Sequence, residues 1–547
     1  MGDVTRIAAA GGAEPKRSAL ERLADRILLL EGWRRALVAF LAGALAVLGL
    51  APFNLPLVGF VSFPLLVWLL DGAAGDPHRG ALGRLGPAFF TGWFFGFGYF
   101  VAGLWWLAAA VLVGGDAFLW AIPFAVFGLP ALLAIYFGLA AILARLLWSD
   151  GPLRIFALAF AFALAEFGRA RLLTGFPWNE IGAMAAPVPL AMQSLAFVGV
   201  HGLTLGALVV FAAPAVLADR RGRWPVLCLA ALLLAAHLGT GAWRLSGASE
   251  DDVPGLTLRV VQPNIQQSMK WDEAAAEANF QRLLDLTRAP APEIGRMLVV
   301  WPETAFPFLL TERPDAVEKL AETLQPGQTL VAGAVRIEDL PNNDYLAYNS
   351  VYVIDETGEI RDARDKLHLV PFGEYLPFQE LLESWGVNQL TNMPGGFSAG
   401  AARRPVPIDG APSFLPLICY EIIFPEEIAA GEGADRAGFI VNVTNDAWYG
   451  NTPGPYQHLR QSEMTAVALG LPLVRSANTG ISVVTDAVGR LRDGLALGST
   501  GTIDTPLPVA APETVYARWR DLPFLAGLAL AALAALGGRL RERPRRH

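Results

Sequence analysis

Cysteine is nearly absent: the 547-residue chain holds two, Cys228 and Cys419, far apart in sequence. That excludes a disulfide framework, and no Cys/His grouping stands at zinc-binding spacing. Charge is scarce too. Asp, Glu, Lys and Arg make up 17% of the chain, and the net charge is −8. A typical soluble domain carries about 25% charged residues, so the shortage argues for a membrane protein, and nothing in it suits a nucleic-acid partner. There is no Walker loop, no Rossmann glycine fingerprint after a strand, no internal repeat and no low-complexity tract.

Apolar residues fill the gap, at 54% of the chain with 15 Trp and 31 Phe. They dominate residues 28–243 and 523–536, whereas 244–522 has the balance of a globular domain. Crossing a bilayer takes about 20 apolar residues. On that basis eight spans are expected, at 36–53, 56–71, 87–111, 117–144, 153–168, 191–217, 224–243 and 523–538. Lys and Arg cluster in the N-terminal arm, in loops 72–86 and 145–152, in "DRRGR" (219–223) and in the tail "RLRERPRR". The alternate loops have few, so both termini are expected in the cytoplasm and residues 244–522 outside it, in the periplasm of a Gram-negative cell. No cleavable signal peptide is expected. The organisation is then an arm (1–30), a seven-span membrane domain (31–243), an extracytoplasmic domain (244–522), and a final span with a basic tail (523–547).

Two features interrupt the apolar pattern. Glu166 lies within a span, where an ionisable group suggests function, although Arg169 one turn on is a ready partner. The loop "GFPWNEIG" (175–182) is expected at the membrane interface, with Trp178 as its anchor.

From residue 256, apolar strands alternate with helices, which indicates an α/β domain with its sheets covered on both faces. Strands are expected at 256–265, 297–304, 328–337, 413–421, 438–446 and 472–480, a hairpin at 348–360 turning at Gly358, and helices at 272–289 and 455–469. The stretch 386–412 is expected as a long, lid-like loop.

Three segments end an apolar run on a reactive residue followed by Pro- or Gly-containing turns: Glu303 in "VVWPETAFP", Lys366 in "RDKLHLVPFGEYLP" and Cys419 in "LICYEIIFP". A thiol with a reference pKa of about 8.5 needs a base, and a carboxylate supplies one. An ammonium stabilises both the thiolate and an oxyanion. Taken singly, each residue has a plain structural reading as a core thiol, a helix cap or a solvated charge.

Together, "WPET", "KLHLVPFGEYLP" and "ICYEIIFP" resemble the signature segments of the nitrilase, or carbon–nitrogen hydrolase, superfamily. "TNDAWYG" (444–450), residues 457–482 and the span arrangement resemble its membrane branch, the apolipoprotein N-acyltransferases. The resemblance implies a nitrilase-like αββα sandwich beside the helical membrane domain. It implies Cys419 as nucleophile, Glu303 as general base and Lys366 as oxyanion stabiliser, with Trp271, Glu374, Tyr420 and Glu421 in support. Tyr420 is expected to act through its backbone N–H, and Trp271 has packing against the start of helix 272–289 as its plain alternative. His368, His458, Asn445, Asp446 and Arg475 are expected to be structural.

The implied reaction moves an acyl chain from a membrane phospholipid through a Cys419 thioester to the α-amine of a diacylglyceryl lipoprotein. No cofactor, metal or nucleic acid takes part, and the protein is expected to act as a monomer in the bilayer. Residue chemistry alone leaves two alternatives open: a membrane-tethered amidase with water as acceptor, and a non-catalytic lipid-binding scaffold.

Overall fold

The computed structural model describes residues 17–542 except 77, 79, 114–115, 291–294, 342–343, 385–395 and 432–435. Its helical part contains α1 (Ala19–Leu28), α2 (Gly32–Ala46), α3 (Gly59–Asp71), α4 (Ala81–Leu104), α5 (Leu129–Leu146), α6 (Arg154–Arg169), α7 (Leu195–Ala212) and α8 (Arg223–Ser246). Six stretches among the described residues are long and apolar enough to cross a membrane: Gly32–Gly49, Gly83–Leu104, Phe118–Leu146, Leu195–Ala218, Arg223–Ser246 and Leu522–Arg541. The other two expected spans are helical but short. Pro56–Asp71 falls below full length, and α6 has 16 residues and carries Glu166 and Arg169.

The span expected at 87–111 ends at Leu104. Just beyond it, the Trp106 indole donates to the Gly103 carbonyl at 2.9 Å and to Gln457 Oε1 at 3.1 Å, and a short separate helix follows at Leu107–Val113. Glu166 and Arg169 do pair, and both are buried. Arg169 also donates to the carbonyls of Phe176 and Trp178 and so holds the 175–182 loop. Trp178 is therefore no interfacial anchor: it is 1% exposed.

Among the described residues, twelve strands form two six-stranded sheets. They are β1 (Asp252–Gln262), β2 (Arg296–Val300), β3 (Gln328–Leu340), β4 (Asp344–Ile354), β5 (Ile360–Asp365), β6 (Val406–Ile408), β7 (Ala411–Ile418), β8 (Phe439–Thr444), β9 (Leu473–Ala477), β10 (Ser482–Thr485), β11 (Leu491–Leu495) and β12 (Gly501–Pro508). The orders are β12-β1-β2-β3-β4-β5 and β11-β10-β9-β8-β7-β6. Each sheet has a parallel core, β1–β2–β3 or β7–β8–β9, flanked by antiparallel strands. The remaining helices used below are α9 (Glu273–Thr287), α10 (Pro314–Thr323), α11 (Pro453–Leu469) and α12 (Leu522–Glu542).

Period-two alternation explains why these strands read as unbroken apolar runs. Leu298 and Val300 of β2 face the second sheet, sharing a core with Phe414, Ile418, Val441 and Val474. Val299 points the other way, among Phe280 and Leu283 of α9 and Leu320 of α10. In the second sheet, Leu415, Leu417 and Ile440 join a core with Val467 of α11 that continues into the membrane helices. The layers are thus helix, sheet, sheet, helix, and the last helix layer is shared with the membrane part.

The strand expected at 297–304 stops at Val300, because Pro302 has no N–H for a ladder. The strand expected at 413–421 stops at Ile418. The hairpin turns at Gly358 as expected, with φ +81°. Of the expected lid, residues 386–395 lie outside the described residues, and Val406–Ile408 form an edge strand.

Helices α2 and α4 approach through glycine on both sides. A Cβ on Gly43 would stand 1.9 Å from the Phe95 carbonyl oxygen, and one on Gly98 2.0 Å from that of Phe40. Small residues at such crossings let helix backbones meet in lipid. Gly43→Ala and Gly98→Ala should each cost about 1–3 kcal/mol by overpacking. A lowered melting temperature in detergent is expected for both, and unchanged melting would contradict the close crossing.

Candidate active site

Glu303, Lys366 and Cys419 each follow the carboxyl end of a strand, respectively β2, β5 and β7. The structure brings them together at one rim of the sandwich, two from the first sheet and one from the second. Glu303 owes its place to a glycine. The Gly333 N–H donates to the Pro302 carbonyl at 3.1 Å, and the Ala305 N–H donates to that of Gly333 at 2.7 Å. A Cβ on Gly333 would lie 2.5 Å from Glu303 Cα, so only glycine lets the turn lie on β3.

Lys366 Nζ donates to Glu374 Oε1 at 2.9 Å and stands 3.9 Å from Glu303 Oε1. Asn349, in the middle of β4, ties the two carboxylates together: its Nδ2 donates to Glu303 at 2.7 Å and to Glu374 at 3.0 Å. The Val370 N–H donates to the other Glu374 oxygen at 2.9 Å. Glu374 is therefore the direct partner that holds the lysine. Burial works against the Lys366 ammonium, but Glu374 and then Glu303 outweigh it and raise its pKa. Burial also raises the Glu303 carboxyl above the usual range, with Lys366 opposing.

Cys419 begins the short 3₁₀ turn after β7 with φ +51°, a conformation that non-glycine residues rarely adopt. Burial first, and the Glu303 carboxylate second, push its thiol up to about 12, with Lys366 opposing. At rest the sulfur is a neutral thiol, which gains its reactive thiolate form only by losing that proton.

Glu421 is a bracket between the lysine and cysteine segments. One oxygen accepts from the Leu367 N–H (2.9 Å), the His368 N–H (3.2 Å) and Arg403 (2.8 Å), and the other from the Ile418 N–H (2.8 Å). Tyr420 turns its ring into the helical part. It stacks on Trp178 at 6.5 Å and donates its hydroxyl to the Gly175 carbonyl at 3.3 Å. Trp271 is 49% exposed, which leaves it out of the core at the start of α9.

His368 stacks on Phe424 and faces Glu427, and Asn445 bonds Gln267 and Asn478. Two residues escaped the sequence reading. Asn349 had a signal, as the polar break in "LAYNSVYVI". Lys270 stood unnoticed beside Trp271 in "MKWDE". It is buried, its ammonium donates to the Glu303 carbonyl at 2.8 Å, and burial pushes it down to about 8 against Glu303 and Cys419.

Cys419, Asp446 and His458 bring ligand-type atoms within 4.8 Å of one another. They do not suit a metal, because Arg475 donates to Asp446 at 2.8 Å and both ring nitrogens of His458 already face hydrogen-bond partners. A cation there would have to displace a guanidinium. The arrangement is one that can do nucleophilic chemistry, since it offers a thiol, a carboxylate able to take a proton, and an ammonium able to face an oxyanion.

Residues 257–513 match the carbon-nitrogen hydrolase family, and residues 42–215 match the apolipoprotein N-acyltransferase N-terminal domain. An apolipoprotein N-acyltransferase of Brucella suis is 53% identical over 494 residues, 89% of this chain and 92% of that protein. One of Rhizobium rhizogenes is 50% identical over 528 residues, 95% of this chain and 99% of that protein. Among solved structures, a nitrilase-superfamily amidase from Nesterenkonia aligns with a TM-score of 0.36 and 18% identity, covering 50% of this chain and 97% of its own.

The thiolate is the form that alkylates. With the thiol pushed up to about 12, alkylation of Cys419 by iodoacetamide should still climb with pH beyond the ordinary cysteine range. Glu303→Gln removes a neighbouring negative charge and should shift that rise to lower pH. A plateau near the ordinary thiol value in the native protein would contradict the electrostatics described.

Proposed function

The chain belongs to the apolipoprotein N-acyltransferase family, and from that premise we propose that Cys419, Glu303 and Lys366 carry its acyl transfer in two half-reactions. In the first, the Cys419 sulfur attacks the ester carbonyl of a phospholipid while Glu303 takes the thiol proton. The Lys366 ammonium and the Tyr420 N–H stabilise the tetrahedral oxyanion. The intermediate collapses, Glu303 returns the proton to the departing alkoxide, and a lysophospholipid leaves behind a Cys419 thioester.

In the second, the α-amine of a lipid-modified N-terminal cysteine attacks the thioester carbonyl. With a pKa of about 8, a useful share of that amine is neutral. Glu303 takes the surplus proton and passes it to the departing Cys419 sulfur, so the enzyme returns to its resting form with an amide made. The overall change of ester into amide runs downhill and asks for no nucleoside triphosphate.

The observation that carries this reading is the single buried network in which Glu374 and Asn349 hold Lys366 beside Glu303 while Glu421 ties the lysine segment to the cysteine strand. Apolar surface near the site suits lipid substrates: Phe372 and Phe378, on the segment after Lys366, are 53% and 82% exposed. We place residues 31–243 and the helix after 522 in the inner membrane. Residues 244–522 then lie in the periplasm, and the arm 1–30 and the basic tail in the cytoplasm, from the distribution of Lys and Arg.

Purified protein given acyl-labelled phospholipid should acquire a hydroxylamine-labile label on Cys419, absent in Cys419→Ser. A diacylglyceryl peptide added next should remove the label and gain the acyl chain on its amine. Release of free fatty acid alone would favour an amidase, and an unlabelled cysteine in active protein would end the thioester mechanism.

A further inference from the structure

We infer that His458 is a positioning residue: by holding the Cys419 carbonyl oxygen, it aims the Tyr420 N–H at the oxyanion. This rests on the reading of Cys419 as nucleophile and of that N–H as oxyanion donor. The mechanism above uses no proton of His458, yet the residue is fully buried on α11 directly behind the nucleophile.

The link is the planarity of one peptide. The bond between Cys419 and Tyr420 is trans, since among the described residues the cis bond is Ala51–Pro52. In a trans peptide the carbonyl and the following N–H point in opposite directions. Whatever holds the Cys419 carbonyl on one side therefore sets where the Tyr420 N–H points on the other. Cys419 itself does not settle the matter. At φ +51° it occupies a left-handed conformation that a non-glycine residue rarely adopts and that persists only where its surroundings impose it.

The surroundings here are a side-chain cluster aimed at that one oxygen. His458 Nε2 lies 3.2 Å from the Cys419 carbonyl, and Asn442 Nδ2 lies 3.5 Å from it. The role assigned here puts the proton on Nε2, which then donates to the Cys419 carbonyl while Nδ1 accepts from Arg475. The ring is pinned from behind. Its Nδ1 lies 2.8 Å from Asp446 Oδ1 and 3.1 Å from an Arg475 nitrogen. Arg475 in turn donates to Asp446 at 2.8 Å and to Ser462 at 3.0 Å. Asp446 and Arg475 are buried like His458, so the imidazole has one orientation. With its Nε2 proton engaged by a backbone carbonyl, His458 is no base for the thiol.

Two substitutions separate this role from packing. Glutamine places an amide N–H where Nε2 stands, whereas asparagine reaches only as far as Nδ1 and leaves the Cys419 carbonyl without that donor. Both are polar and can keep contact with Asp446 or Arg475. The test compares two reactions of Cys419 in purified full-length protein: acylation by labelled phospholipid, which develops an oxyanion, and alkylation by iodoacetamide, which does not. Loss of an oxyanion-hole donor typically costs 10²–10³ in rate, so His458→Asn should slow acylation about 100-fold. Its alkylation should keep the native rate, and His458→Gln should restore most of the acylation.

Native acylation in His458→Asn would overturn the inference. So would a parallel loss of alkylation, which would mean a displaced thiol, or a failure of His458→Gln to acylate while it alkylates normally. If the unsubstituted protein itself forms no hydroxylamine-labile adduct, the proposed mechanism fails first, and the two failures are thereby told apart.

Discussion

Lys366 carries a full positive charge on a side chain that is 1% exposed, and the site is built around keeping it there. An unpaired buried ammonium would lose its proton instead, as burial alone always pushes it to do. Glu374 prevents this at 2.9 Å, and Glu303 adds its field from 3.9 Å. Two carboxylates so close would repel without a shared donor, and Asn349 bonds both. Burial raises both the Glu303 carboxyl and the Cys419 thiol, with Lys366 opposing each shift. The base, the cation and the masked nucleophile of the proposed mechanism thus sit in one buried site.

The ion cluster around Lys366 belongs to the first sheet and Cys419 to the second, so the site depends on how the two are held together. Glu421 fastens the cysteine strand to the lysine segment through three backbone N–H groups. The far face of the cysteine sheet is closed by α11, and α11 is anchored in the helical part. Gln457 Oε1 accepts from Trp178 at 2.9 Å and from Trp106 and Asn179 at 3.1 Å each. The Glu166–Arg169 pair holds the loop that carries Trp178, and Trp178 stacks on Tyr420 next to the nucleophile. The intramembrane charge thus has a structural purpose with a short path to the site. The proposed nucleophile is thus braced against the membrane helices, which suits substrates that stay in lipid.

How much of this was legible depended on the kind of signal. Glu303, Lys366 and Cys419 stood out because an apolar run ending on a reactive residue is unusual, and three of them recur in one style. Strands such as β2 and β8 were clear because both faces are buried. β11 has no buried residue, and β12 mixes buried, half-buried and exposed positions around Pro506, so neither gave a run to notice. Trp178 was misplaced because an aromatic loop beside a span looks the same whether it meets lipid or a second domain. Lys270 and Asn349 were missed for a related reason: a lone polar residue gains meaning only when the fold brings its partner near. Helix length was the other limit, since α3 and α6 are apolar enough to suggest spans but are completed by packing rather than by reach.

The central claim is that Lys366 and the Tyr420 N–H act on the carbonyl that Cys419 attacks. Isotope-edited infrared spectroscopy of the acyl-enzyme, formed with a carbonyl-labelled acyl chain, observes that bond directly. Two donors on the carbonyl should lower its stretching frequency below that of the same thioester in the unfolded protein. Equal frequencies in the folded and unfolded acyl-enzyme would contradict the account.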